Sequence, residues 1–122
     1  MLQVDCPDLA LGRHVEFADR PLADFRANAE IRVTALNHAL TGIYPDQVRV
    51  HVCWGNYPGP HHHDVPLAGI LDIVYALNAN GLSVEGANPR HEHEWTVFRE
   101  HPLPKDKVLI PGVIDTCTNC IE

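Results

Sequence analysis

A histidine and a cysteine lie two positions apart in residues 47–54, a segment in which apolar residues alternate strictly with other types. This period of two predicts a β-strand, with His51 and Cys53 side by side on one face. The opposite face would carry Val48, Val50, Val52 and Trp54. Imidazole and thiolate together suit zinc. Cysteine is also among the residues most often simply buried, so the pair alone leaves a structural role open.

Polar side chains also end the other predicted strands, which cover residues 2–5, 82–85 and 107–115. These side chains are Asp5, Glu85 and Asp115. Ligands bind at the carboxyl ends of parallel strands, so we expect these side chains and the His51–Cys53 pair to lie together at that end of the sheet. His51, Cys53 and Glu85 would then offer nitrogen, sulfur and oxygen to a catalytic zinc. The alternative is that Glu85 caps a helix or pairs with Arg90.

Three amphipathic segments separate the strands. Residues 21–40 carry apolar side chains at intervals of three and four, which predicts a helix that ends at Thr41–Gly42. Asp64 and Pro66 look like the cap and first turn of a second helix. Its buried stripe would be Leu67, Ile70, Leu71, Val74 and Leu77. A shorter helix, opened by Asn88 and Pro89, would carry Trp95 and Phe98. This alternation predicts parallel βαβ units of an α/β fold.

Composition narrows the class of protein. The chain has 122 residues, enough for one domain with its own core, and 45% of them are hydrophobic. Its formal net charge of −7 argues against nucleic acid or an anionic membrane as a partner and favours small molecules. No transmembrane or secretory segment is visible, and the four cysteines do not form a secreted disulfide pattern. We therefore expect a cytoplasmic protein.

Two longer motifs carry a family resemblance. Residues 50–56 read VHVCWGN and residues 59–67 read GPHHHDVPL; residues 81–95, which include ANPRHEHEW, and residues 108–115 continue the pattern. Together they resemble the C-terminal catalytic barrel of cobalamin-independent methionine synthase and its shorter single-domain relatives. The resemblance extends over essentially the whole chain. It implies a (β/α)8 TIM barrel of which this chain supplies about four βα units, as a fragment of one catalytic domain (residues 1–122).

The resemblance also implies a function. Members of that family transfer a methyl group from 5-methyltetrahydrofolate to the homocysteine thiol, with Zn²⁺ as cofactor. Their zinc ligands match His51, Cys53 and Glu85, and a fourth, a cysteine on the last strand, would lie beyond Glu122 in the remainder of the barrel unless Cys117 or Cys120 replaces it. Asp5 matches the residue that holds the substrate amino group. Asp115 is the candidate catalytic residue, as a substrate contact, although a helix N-cap is equally compatible with the sequence.

One departure from the family pattern leaves the electrophile open. Two residues after Asp115 the full-length enzymes have a histidine thought to protonate the folate nitrogen, and here that position is Cys117. A zinc-dependent thiol alkyltransferase with another electrophile, similar to epoxyalkane:coenzyme M transferases, and an inactive fragment are therefore the alternatives. His61, His62 and His63 lie in a loop rich in proline and glycine, where exposure to solvent is the expectation. We also predict that the isolated chain folds poorly or self-associates, since a partial barrel leaves open sheet edges.

Overall fold

A computed structural model describes residues 1–56 and 58–117 of the chain. Four parallel strands form one sheet: β1 (Leu2–Cys6), β2 (Val48–Val52), β3 (Gly81–Glu85) and β4 (Val108–Gly112). Each strand pairs with the next one along the chain, in the order β1-β2-β3-β4. The predicted alternation of parallel strands and helices is confirmed as a mixed α/β fold.

The helices lie between the strands in sequence. They are α1 (Leu11–Val15), α2 (Leu22–Ala39), α3 (Leu71–Tyr75) and α4 (Val97–Glu100), and short 3₁₀ turns cover Pro7–Leu9, Pro45–Gln47, Leu67–Gly69 and Glu92–Thr96. No helix among the described residues is long and apolar enough to span a membrane. The helix predicted over residues 21–40 is confirmed as α2, and the glycine after it is confirmed as its end, because Gly42 has a φ of 87°.

One face of the sheet packs into the hydrophobic core. Val48, Val50 and Val52 of β2 and Leu82 and Val84 of β3 are all buried. The helices cover this face with side chains that include Phe25, Ala29, Val33, Ile70, Val74 and Leu77. The stripe predicted for the second helix is buried throughout, whereas Leu22 of the first predicted stripe is exposed. The other sheet face carries the half-buried Arg49 and His51.

Several predicted boundaries are wrong. The strand predicted over residues 107–115 ends at Gly112, and Val113 and Ile114 are exposed. Asp64 does not cap a helix, since the 3₁₀ turn that precedes α3 has Pro66 at its N-cap and no side-chain cap. Asn88 is buried and lies before the 3₁₀ turn at Glu92–Thr96 rather than opening a helix.

Candidate metal centre

The sheet register brings the predicted metal ligands to one place. In β2 and β3, His51 lies opposite Ser83 and Arg49 lies opposite Gly81. Parallel strands in this register point residues of alternate positions to the same face, so Cys53, just after β2, and Glu85, at the end of β3, project beside His51. All three side chains are half-buried, on the sheet face opposite the core.

Donor atoms of His51, Cys53 and Glu85 lie within 4.8 Å of one another. A tetrahedral zinc holds nitrogen or oxygen at about 2.0–2.2 Å and thiolate at about 2.3 Å, which sets its ligand atoms roughly 3.5 Å apart. Closing the group onto an ion therefore needs a contraction of only about 1 Å, within the reach of side-chain rotation. This group could hold a metal ion.

Charge at the group favours a cation. Burial raises the pKa of the Cys53 thiol, the Gly55 N–H that donates to it lowers the pKa, and the carboxylates of Glu85 and Asp5 raise it further. Without a cation the thiol therefore stays protonated. A divalent ion among Cys53, Glu85 and Asp5 would reverse that balance, because it stabilises thiolate and carboxylate together.

The backbone around Cys53 is held on both sides. The Leu11 N–H donates to the Cys53 carbonyl oxygen at 3.2 Å, and the Gly55 N–H donates to Cys53 Sγ at 3.2 Å. Gly55 has a φ of 95°, a conformation that side-chain-bearing residues rarely adopt. The turn after β2 thus aims an N–H at the thiol sulfur, which stabilises the thiolate that a metal would bind.

Asp5 lies next to the group. It is the register partner of His51 on β1, and its Oδ1 is 3.9 Å from His51 Nε2. Its side chain is largely exposed, so it can meet a ligand that approaches the metal group. The substrate-binding role of Asp5 stays a prediction.

Asp115 and Cys117 lie beyond the end of β4 and outside this three-residue group. Asp115 Oδ1 accepts a hydrogen bond from the Cys117 N–H at 2.9 Å, so Asp115 shapes a local turn. Cys117 Sγ donates to Asn56 Oδ1 at 3.3 Å and accepts from Asn88 Nδ2 at 3.4 Å. Cys117 therefore contacts the loops that follow β2 and β3. Cys120, the other candidate for a fourth ligand, lies outside the described residues.

Contrary to the sequence prediction, the loop with His61, His62 and His63 is not exposed to solvent throughout. His62 and His63 are exposed, but the side chain of His61 is buried and its Nδ1 lies 2.8 Å from Asp64 Oδ2. The same Asp64 oxygen lies 3.0 Å from Nε2 of the buried His91. The sequence did not predict this network, since Asp64 and His91 are 27 positions apart and no pattern in the sequence signals their contact.

No protein-family model, curated protein or solved structure matches the chain. The resemblance to cobalamin-independent methionine synthase therefore stays a prediction from the sequence motifs.

Proposed function

We propose that this chain is the zinc-binding part of a thiol alkyltransferase, which transfers the methyl group of 5-methyltetrahydrofolate to homocysteine. The observation that carries the proposal is the His51, Cys53 and Glu85 group at the carboxyl ends of two adjacent parallel strands. Its nitrogen, sulfur and oxygen donors suit zinc better than they suit magnesium or calcium, which prefer oxygen alone.

Zinc, when bound, would lower the pKa of a substrate thiol so that thiolate predominates near neutral pH. In the transfer, the bond between the methyl carbon and the folate nitrogen breaks, and a bond between that carbon and the thiol sulfur forms. The thiol loses its proton and the folate nitrogen gains one. In this proposal Asp5 receives the ammonium group of an amino-acid thiol, which is supported by the exposed carboxylate of Asp5 beside His51. Asp115 is the candidate substrate contact beyond β4.

The proposal includes a (β/α)8 barrel as the complete fold. The strand order runs in sequence, and right-handed crossovers in such a sheet place all helices on one face. The core occupies that face, and the polar row of Arg49, His51 and Cys53 occupies the other. A barrel would turn this polar face inward and supply the fourth ligand from a later strand.

The alternative reaction alkylates the thiol with an electrophile other than the methyl group of the folate. Cys117 stands two residues after Asp115, where the resemblance implies a proton-donating histidine for the folate nitrogen. An epoxide would serve instead, since thiolate attack on its carbon opens the carbon–oxygen bond and the alkoxide takes a proton from water. Either reaction belongs in a reducing compartment such as the cytoplasm, because the thiols must stay reduced.

Metal analysis of the purified protein tests the site. We expect about one zinc per chain, and a loss of most of it in Cys53→Ser, because the hydroxyl is a poor replacement for a thiolate ligand. Cys6→Ala is the matched control, since it removes a buried thiol of β1 that lies outside the group and should leave the zinc content unchanged. Equal zinc in wild type and Cys53→Ser would contradict the site.

A thiol-alkylation assay then separates the two reactions. Homocysteine with 5-methyltetrahydrofolate and coenzyme M with a short epoxide are supplied in parallel to the zinc-loaded protein. Methionine formation that Cys53→Ser abolishes supports the first reaction. Epoxide opening alone supports the second, and neither product would leave the chain without the proposed activity.

A further inference from the structure

A buried network of ionisable side chains connects the segments that follow β2 and β3. His91 Nε2 hydrogen-bonds to Asp64 Oδ2 at 3.0 Å, and His91 Nδ1 is 3.4 Å from Glu94 Oε2. The other oxygen of Glu94 accepts the Leu67 N–H at 3.0 Å. The side chains of Asp64, His91 and Glu94 are each exposed by less than a tenth. We call these three residues the acid–histidine clamp.

The clamp joins the two chain segments that leave the ligand-bearing strands. Asp64 belongs to the segment that follows β2 and Cys53, whereas His91 and Glu94 belong to the segment that follows β3 and Glu85. A connection between these segments restricts how far Cys53 and Glu85 can move apart. Burying three ionisable side chains costs free energy that an apolar cluster would not, so stability alone is a weak reason for them.

Trp54 connects the clamp to Cys53. Its indole ring stacks on the His91 ring with centroids 4.3 Å apart, and its Nε1–H donates to the Val65 carbonyl oxygen at 2.8 Å. Trp54 is almost fully buried. Its two chain neighbours are Cys53 and Gly55, the residue whose N–H donates to Cys53 Sγ. Fixing the indole therefore fixes both the thiol and its hydrogen-bond donor.

We infer that Asp64 and His91 are positioning residues of the metal centre, which hold Trp54 so that Cys53 stays within ligand distance of Glu85. This inference rests on the proposed metal function. Neither residue is a ligand: Asp64 and His91 lie outside the group of mutually close donor atoms found among residues 1–56 and 58–117. Their effect passes through Trp54 and the loop backbone, much as residues that support a metal ligand orient it in other proteins.

Cobalt titration of the whole chain tests the inference. Co²⁺ bound to a thiolate gives a charge-transfer absorption band, and its d–d bands report the coordination geometry. In His91→Gln and Asp64→Asn we expect Co²⁺ to bind about tenfold or more weakly than in wild type, with altered d–d bands. Trp54→Phe keeps an aromatic ring in the core but removes the hydrogen bond to the Val65 carbonyl oxygen. This variant should show the same change to a smaller degree.

Val33→Ala is the control for a general loss of stability. Val33 is buried on α2, an element that carries neither a metal-ligand candidate nor a clamp residue, so its truncation should lower the melting temperature without removing a clamp contact. Its Co²⁺ affinity and spectrum should equal those of wild type. Clamp variants that bind Co²⁺ with wild-type affinity and spectrum would overturn the positioning role alone. A wild-type chain that binds neither Co²⁺ nor Zn²⁺ would overturn the proposed function and the positioning role together.

Discussion

Two residues show how neighbours change ordinary side-chain chemistry. Cys53 is a thiol that burial and two carboxylates keep protonated until a cation arrives. His91 is the opposite case. Burial lowers the pKa of His91, but the hydrogen bond to Asp64 and the negative charges of Asp64 and Glu94 outweigh burial and raise it to about 9. His91 is therefore charged at neutral pH, as a cation between two carboxylates.

Stability should depend on the proton of His91. Its pKa rises from 6.5 in the unfolded chain to about 9 in the fold. The stabilisation is therefore complete below pH 6.5 and is lost as pH rises through about 9. We expect the melting temperature of the metal-free protein to fall over this range, and to fall less steeply in His91→Gln. Burial also raises the pKa of the Cys6 thiol, to about 11, so this thiol too lowers stability as pH rises. That contribution is the same in the wild type and in His91→Gln, so the difference between the two curves reports on His91. Parallel curves for the two proteins would contradict this role of His91.

Among the elements, β2 and β3 set the geometry of the metal group. Gly81 allows them to approach on the ligand side, because a Cβ there would lie 2.7 Å from the Cβ of Arg49. That contact is shorter than side chains tolerate. The strands would have to separate, and His51, two residues after Arg49, would move with β2.

Gly81→Ala should therefore weaken both the sheet and the metal group. We expect a loss of about 1–3 kcal/mol in unfolding free energy from overpacking, together with weaker zinc binding. Gly42→Ala is the matched control, since Gly42 has a positive φ but no atom within 4 Å of its Cβ position. Backbone strain alone should cost about 1–2 kcal/mol there, and zinc affinity should not change. Chelator competition measures the affinity, and an equal affinity in both variants would exclude a role for strand spacing.

For the molecule as a whole, the sheet edges matter most. Within the part of the chain that the structure describes, β1 and β4 each pair with one neighbouring strand. Apolar side chains stand exposed on both: Leu2 on β1 and Val108 on β4. Unpaired strand edges with apolar side chains invite pairing with another chain. In a complete barrel these edges would pair with further strands.

The purified 122-residue chain should therefore self-associate as its concentration rises. Val108→Lys should shift the distribution toward monomer, because a charged side chain on an edge strand opposes pairing. Ile31→Lys is the control: Ile31 is similarly exposed, but it lies on α2 rather than on an edge strand. Light scattering coupled to size-exclusion chromatography measures the mass. A wild-type monomer that melts cooperatively at all concentrations would contradict the expectation.

The sequence alone determined the order of the four strands, the long helix between the first two of them and the metal-ligand candidates. Apolar periodicity depends on neighbouring residues, so it predicted the parallel α/β order and the face shared by His51 and Cys53. Element ends were less well determined, since Asp64 has the residue type of a helix cap yet hydrogen-bonds to His91 instead. The tertiary structure decided what distant segments do together. It placed Glu85 beside Cys53 and joined Asp64, His91 and Glu94 behind Trp54, because contacts between segments depend on strand register and loop path.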